Sequence, residues 1–247
     1  LNLRLNQRVT GAMLKKLLAD FDAVFLGIGL GHTLPLRIEG ESAIGVWEAL
    51  EFIFQTHTKP FTECEVGRSV LVIGAGNTAI DVATAATRLG ADAVTIAYRR
   101  GEPAMPAITY EYELAKADGV RFEWYVQPVR IVCDPDGRAT GVEFARTRAA
   151  DPTHRDGPLQ VVAGANFVIE ADMIVKALGQ EPLLNVLQSV PNLRLDGNKV
   201  WVDRATGATS VPKRFAGGDC IRGGGEIVDA VQDGKTAAKG IHSLTSA

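Results

Sequence analysis

Apolar and polar residues alternate from the start of the chain. "LNLRLNQRV" (residues 1–9) has the period of two expected of a half-buried strand. A short helical stretch follows at residues 12–18. "FDAVFLGIGLG" (21–31) then reads as a buried strand running into a glycine turn. "GVWEALEFIFQTH" (45–57) has helical periodicity, and "TKPFTECEVG" (58–67) has the look of a linker. From Arg68 the pattern becomes strand, turn, helix and strand: "SVLVIG" (69–74), a turn at Gly74–Gly76, a helix over 78–89 closed by Gly90, and "AVTIAYRR" (93–100). Beyond an irregular "GEPAMPA" come a helix, "ITYEYELAKADG" (108–119), and a strand-like run, "VRFEWYVQPVRIV" (120–132). Two more strands, "TGVEFARTR" (140–148) and "LQVVAGANFVIEA" (159–171), flank "AADPTHRDGP" (149–158), which has the composition of a hairpin loop. "ADMIVKALGQEP" (171–182) is another buried strand ending in glycine, and residues 214–244 give strand, glycine turn and final helix. Strands alternating with helices predict an α/β fold built on a largely parallel sheet.

Composition narrows the function classes. Of 247 residues, 46% are hydrophobic and 22% charged, as in an ordinary globular protein. The net charge of −3 gives no electrostatic case for nucleic acid or an anionic membrane as partner. No apolar run approaches the ~18–20 residues that span a bilayer. Cys64, Cys133 and Cys220 stand far apart with no C-x-x-C, against a dithiol centre, zinc ribbon or ferredoxin-type cluster within this chain. That usage fits a reducing, cytoplasmic setting. The four histidines show no metal-binding spacing, so no metal site is expected.

The candidate chemistry centres on "VLVIGAGNTAIDVA" (70–83), which contains Gly74-x-Gly76-x-x-Ala79. Alone, that window fits either a simple strand–helix turn or a phosphate cradle. Its context favours the cradle. In a dinucleotide-binding unit the first glycine makes the tight turn, and the second lets the backbone approach the pyrophosphate at the helix N-terminus. The third position must be small for helix-on-strand packing, and Ala79 meets that need. Where an acidic residue would hold the ribose of NAD, the second strand ends in Arg99 and Arg100. Two guanidinium forks suit the 2′-phosphate of NADP, whereas a solvated strand end is the plainer reading of the same residues. "FAGGDC" places Gly218 and Asp219 in a second glycine turn, which alone is a common loop. No triad or acid–base pair stands out. Asp81, Glu111 and Glu113 read as solvated helix faces, so no catalytic side chain is expected.

Taken together, these segments resemble the flavin-containing pyridine-nucleotide oxidoreductases of the glutamate synthase small-subunit type, which include the flavin subunit of dihydropyrimidine dehydrogenase. "FDAVFLGIGLG", "VLVIGAGNTAIDVATAATRLGA", "VTIAYRR" with "MPA" following, "ADMIVKALGQEP" and "FAGGDCIRGGGEIVDAVQDGKTAA" carry the match in order along nearly the whole chain. The resemblance implies a two-dinucleotide-domain fold, with a Rossmann-like NAD(P)-binding domain inserted in the C-terminal part of an FAD-binding domain. It implies boundaries of 1–62 and 171–247 for the flavin domain and 63–170 for the NADP domain. The turns at Gly27–Gly29 and at Ala177, Leu178 and Gly179 would mark the crossings. Gly74, Gly76, Asn77, Thr78 and Ala79 would surround the NADPH pyrophosphate, with Arg99 and Arg100 at its 2′-phosphate. Gly218 and Asp219 would meet FAD, and Glu226, Ile227 and Val228 would lie by the flavin ring. Family members begin with an iron–sulphur segment and a first FAD-binding unit. The chain is therefore expected to be a fragment whose partner is that N-terminal part or a catalytic subunit, with an incomplete FAD site and possible homodimers through exposed strand edges. The implied reaction passes hydride from NADPH to FAD, with electrons going on through iron–sulphur clusters. The rival readings are an NADP-binding module without chemistry, used for sensing or assembly, and a flavin disulfide reductase.

Overall fold

In a computed structural model of the chain, the described residues are 2–151 and 157–246, so part of the polar 149–158 segment lies outside them. In chain order the elements are α1 (Gly11–Asp20), β1 (Val24–Leu26), β2 (Val46–Glu48), α2 (Ala49–Thr58), β3 (Ser69–Ile73), α3 (Asn77–Arg88) and β4 (Ala93–Tyr98). Next come α4 (Thr109–Ala117), β5 (Arg121–Trp124), β6 (Val126–Cys133), β7 (Ala139–Ala149), β8 (Leu159–Glu170) and β9 (Met173–Lys176). The last are α5 (Leu184–Leu187), β10 (Leu195–Asp196), β11 (Lys199–Val200), β12 (Arg214–Ala216), α6 (Asp219–Arg222) and α7 (Ile227–Thr245). They form two compact units: His32–Gly179, and Leu1–Gly31 with Gln180–Ala247.

The middle unit is built on a five-stranded sheet in the order β2-β9-β3-β4-β5, with every pairing parallel. The β3 sequence "SVLVI" explains its place near the centre. Val70 and Val72 point to one face and Leu71 and Ile73 to the other, and all four are buried. Helices α2, α3 and α4 cover the Val70 face through Phe52, Val82, Ala83 and Tyr112. On the other face, Leu71 and Ile73 pack with Val126, Val142 and Phe144 of the antiparallel β6-β7-β8 sheet. Each such buried aliphatic side chain contributes about 1.5–3 kcal/mol. Alanines on the inner face of α3 let that helix lie close over the sheet.

The other unit pairs β1 with β12 in parallel, Phe25 standing opposite Phe215. Leu14 of α1, Leu26, Leu187, Val200, Ala216 and Ile221 make its core.

Three local expectations change. Residues 2–9 form no strand, and Leu3 and Leu5 are each 70% exposed. Alternation permits a strand, but a ladder needs a partner, and β1 pairs only with β12 among the described residues. Val46–Glu48 is a strand and not the first turn of a helix, because its backbone pairs with β9. The 120–132 run breaks at Tyr125, which has φ of +59° and donates its amide to the Arg100 carbonyl at 3.1 Å. The parallel sheet ends there and the antiparallel one begins. The chain passes between units at Gly31/His32 and Gly179/Gln180, close to the crossings expected at Gly27–Gly29 and at Ala177, Leu178 and Gly179, while the domain bounds expected at 62/63 and 170/171 both fall inside the middle unit. Residues 32–62 belong to the middle unit because β2 extends its sheet, and Leu36 and Ile38 pack into its core.

Candidate functional site

In the middle unit, strand order reverses beside β3: the chain moves from β3 to β4 and β5 on one side, while β9 lies on the other. The carboxyl ends of β3 and β9 frame the crevice such a reversal opens. A cleft of about 540 Å³ sits there, within the range of small-molecule sites. Its walls include Gly74, Gly76, Arg99, Pro106, Leu178 and Gly179.

Two of these glycines are constrained in opposite ways. Gly74 has φ of +131°, and a Cβ there would run into the carbonyl oxygen of Ala177. Its amide donates to the Ala97 carbonyl at 3.0 Å, tying the turn to β4. The fold itself therefore requires glycine at 74. Gly76 has ordinary extended geometry, φ −85° and ψ 177°. A Cβ at Gly76 would meet only Pro106 Cγ, 4.0 Å away. Among the described residues nothing fills the space above Gly76, so its backbone faces the cleft without a side chain.

Asn77 and Thr78 open α3, and their amides have no acceptor in the helix. The Asn77 side chain accepts the Ile108 amide at 3.0 Å, and Ala107 donates to the Ala75 carbonyl at 3.2 Å. These bonds hold the Met105–Ala107 turn against the helix start. Thr78 is exposed, whereas Ala79 is fully buried beneath it. Arg99 is exposed and lines the cleft, and its backbone carbonyl accepts from Thr147 Oγ1 at 2.7 Å. Arg100 is half-buried and is not among the residues that line the cleft, and one of its guanidinium nitrogens donates to the Gly157 carbonyl at 3.2 Å. Asp81 and Glu113 are exposed, Glu111 is half-buried, and none of them lines the cleft.

Sequence reasoning missed Arg37. It lines the same cleft with φ of +58°, and the amides of Leu36 and Arg37 each donate at 2.7 Å to one oxygen of Glu41. Glu41 also accepts from Lys176 at 2.9 Å. Burial pushes the Glu41 carboxyl up, but the Lys176 ammonium and the two amides outweigh it and hold the group below the usual carboxylate range.

The second unit has its own groove, of about 330 Å³, lined by Gly218, Asp219, Glu226 and Ile227 together with Phe25 and Gly225. Gly218, at φ +76°, caps α6, and its amide donates to Asp233 at 3.1 Å. Asp233 is 8% exposed and takes a two-pronged bond from Arg222, at 2.7 and 2.5 Å. The Arg222 guanidinium holds the Asp233 carboxyl below its usual range, against the effect of burial. Arg222 and Asp233 both lie in the segment that carries the family resemblance, but nothing in its letters pairs the one with the other. Glu226 caps α7 in a box with Asp229. Val228 does not line the groove and is 65% exposed. Among the described residues, no three metal-ligating side chains cluster, and no helix is long and apolar enough to cross a membrane.

The family described as pyridine nucleotide-disulphide oxidoreductase matches residues 4–234. The chain is 36% identical over 243 residues to the glutamate synthase [NADPH] small chain of Escherichia coli K12, covering 92% of this chain and 51% of that one. It is 36% identical over 216 residues to the NADPH-Fe(3+) oxidoreductase subunit beta of Geobacter sulfurreducens, covering 85% and 31%. The chain thus spans about half or less of these relatives' length. Among solved structures, Mycobacterium tuberculosis FprA in complex with NADPH superposes with a TM-score of 0.73 at 18% identity, covering 96% of this chain and 67% of that one. At that identity the likeness establishes the FAD/NAD(P)-binding fold alone.

Proposed function

Because the chain belongs to the pyridine nucleotide-disulphide oxidoreductase family, we propose that it is part of an NADPH-dependent flavin oxidoreductase. In this reading the cleft at Gly74–Gly76 takes NADPH, and the Gly218–Asp219 groove takes the flavin end of FAD. Hydride transfer from nicotinamide to flavin is chemistry that the two cofactors supply. The residues of the chain bind and orient. Gly76 leaves room for a diphosphate against bare backbone, and the first turn of α3 offers its free amides and positive dipole end. Arg99 supplies a guanidinium for the 2′-phosphate, and Arg100 stands beside it with a bond to Gly157 already made. In the second unit, Asp233 fixes the Gly218 turn so that Asp219 and the start of α7 face the groove. The relatives named as a small chain and a subunit beta support a partner subunit, to which the electrons would pass through iron–sulphur clusters in this reading.

The observation that carries the proposal is the open space above Gly76 in a cleft that also contains Arg99. Anaerobic titration of the FAD-loaded protein with NADPH or NADH, followed at the flavin absorbance band, tests it. NADPH is expected to bleach the flavin at lower concentration than NADH. Arg99→Ala should erase that preference, since a guanidinium–phosphate bond contributes on the order of 1.5–3 kcal/mol. Equal use of both nucleotides would refute the cofactor assignment. NADPH binding without bleaching would leave a nucleotide-binding module and refute the enzyme.

A further inference from the structure

We infer that Arg37 is a diphosphate-binding residue of the cleft, set in place by the Glu41–Lys176 ion pair; the inference rests on the dinucleotide reading above. Arg37 is an unlikely residue for its backbone. A φ of +58° is the left-handed region that favours glycine, and an arginine stays there only when its surroundings dictate it. Here they do. Both carboxylate oxygens of Glu41 are engaged by the amides of Leu36 and Arg37, and Oε1 also takes Lys176. The Lys176 and Glu41 side chains are only 11% and 17% exposed. A shielded ion pair thus clamps the main chain at Arg37 and leaves its side chain exposed on the cleft wall. Among the described residues, no acceptor takes a hydrogen bond from the Arg37 guanidinium.

Position identifies the anion. Lys176 ends β9, and the next residue, Ala177, supplies the carbonyl against which Gly74 is folded. The Leu34 amide donates to the Gly179 carbonyl at 2.9 Å, so the Arg37 loop is fastened to the same strand end. The glycine turn and the Arg37 loop therefore share one anchor, whereas Arg99 follows β4, on the far side of β3 from β9. A group lying over Gly74–Gly76 falls to Arg37, and a group beyond the end of β4 falls to Arg99. In a dinucleotide the first is the diphosphate, which NADPH and NADH share. The second is the 2′-phosphate, which only NADPH has.

That difference separates the two ideas experimentally. Isothermal titration with NADPH and NADH is carried out on the wild type, Arg37→Ala, Arg37→Lys and Arg99→Ala. Arg37→Ala should weaken both nucleotides by a similar factor, about 10- to 100-fold, leaving the NADPH/NADH ratio unchanged. Arg37→Lys should recover part of the loss. Unaltered binding of both nucleotides by Arg37→Ala, or weakening of NADPH alone, would overturn the inference. An unchanged ratio in Arg99→Ala counts against the cofactor assignment and not against Arg37. The positioning role of Glu41 is read from a double-mutant cycle. Glu41→Gln should weaken both nucleotides in the wild type and have no further effect beside Arg37→Ala; equal losses in both backgrounds would show a merely structural residue.

Discussion

Adding side-chain atoms at Gly76 separates the needs of a ligand from those of the fold. Replacing Gly76 with alanine adds one carbon that meets Pro106 Cγ at 4.0 Å and nothing nearer. The backbone angles of −85° and 177° suit any L-residue. Alanine is a poorer N-cap than glycine by up to ~1 kcal/mol, and the loss of unfolded-state freedom returns about 0.4–1 kcal/mol. The net change in stability should fall within about 1 kcal/mol, or a thermal midpoint shift of roughly 2–4 °C. Binding should behave differently. A diphosphate resting on the bare backbone would be displaced by the new methyl and lose one or two charge-assisted bonds to the amides at the start of α3. Each is worth about 1.5–3 kcal/mol, so affinity for NADPH should fall by at least ~10-fold in Gly76→Ala and further in Gly76→Val. Gly74→Ala is the contrasting variant. Its Cβ collides with the Ala177 carbonyl at a left-handed φ, so it should destabilise the protein by at least ~2–3 kcal/mol whether or not nucleotide is present. Isothermal titration and thermal unfolding of the three variants check both halves. A Gly76→Ala protein that binds NADPH normally, or that unfolds as early as Gly74→Ala, would refute the reasoning.

Acid should act through Glu41 and Asp233, whose carboxyls are held below their usual range in the folded chain. A depressed folded pKa means that the unfolded chain takes up protons first. The stabilisation is thus complete above about pH 4–5 and is lost as pH falls through the lower folded values. Thermal midpoints measured between about pH 6 and 3 should fall less steeply in Glu41→Gln than in the wild type, and parallel curves would contradict this. Asp233→Ala should cost about 1–3 kcal/mol by stranding the Gly218 amide and the Arg222 fork, lowering the midpoint by a few degrees to about ten; a shift under about 1 °C would show the pair to be idle.

The sheet of the middle unit was legible because its residues answer to local rules. Strand β3 alternates between two buried faces, α3 presents small residues to it, and Gly90, at φ +100°, ends the helix as its type suggests. Elements that depend on distant partners were not legible. Val46–Glu48 continues the apolar rhythm of α2 and becomes a strand only by pairing with β9. Arg37 was invisible for the same reason at the level of side chains: its clamp joins Glu41 to Lys176, 135 residues away. "TLPLRIEGES" contains no signal for a left-handed arginine.

The site motifs were read correctly as glycine turns, but the letters do not say why each glycine is there. At Gly74 the chain's own carbonyl forbids a side chain, so that glycine would be needed by this fold whatever it bound. At Gly76 no atom of the described residues comes nearer than 4.0 Å to a Cβ position, which is what a bound diphosphate would need there. The same contrast appears in the second unit. Gly217 is pressed between Asp233 and the Phe25 ring, at 2.9 and 3.0 Å from a Cβ position, whereas Gly225 lines the groove with nothing nearer than 3.6 Å. A glycine that packing requires reports on the fold. One that packing leaves free, on the wall of a cleft, is the position whose mutation should cost affinity ahead of stability. Gly76 and Gly225 are such positions.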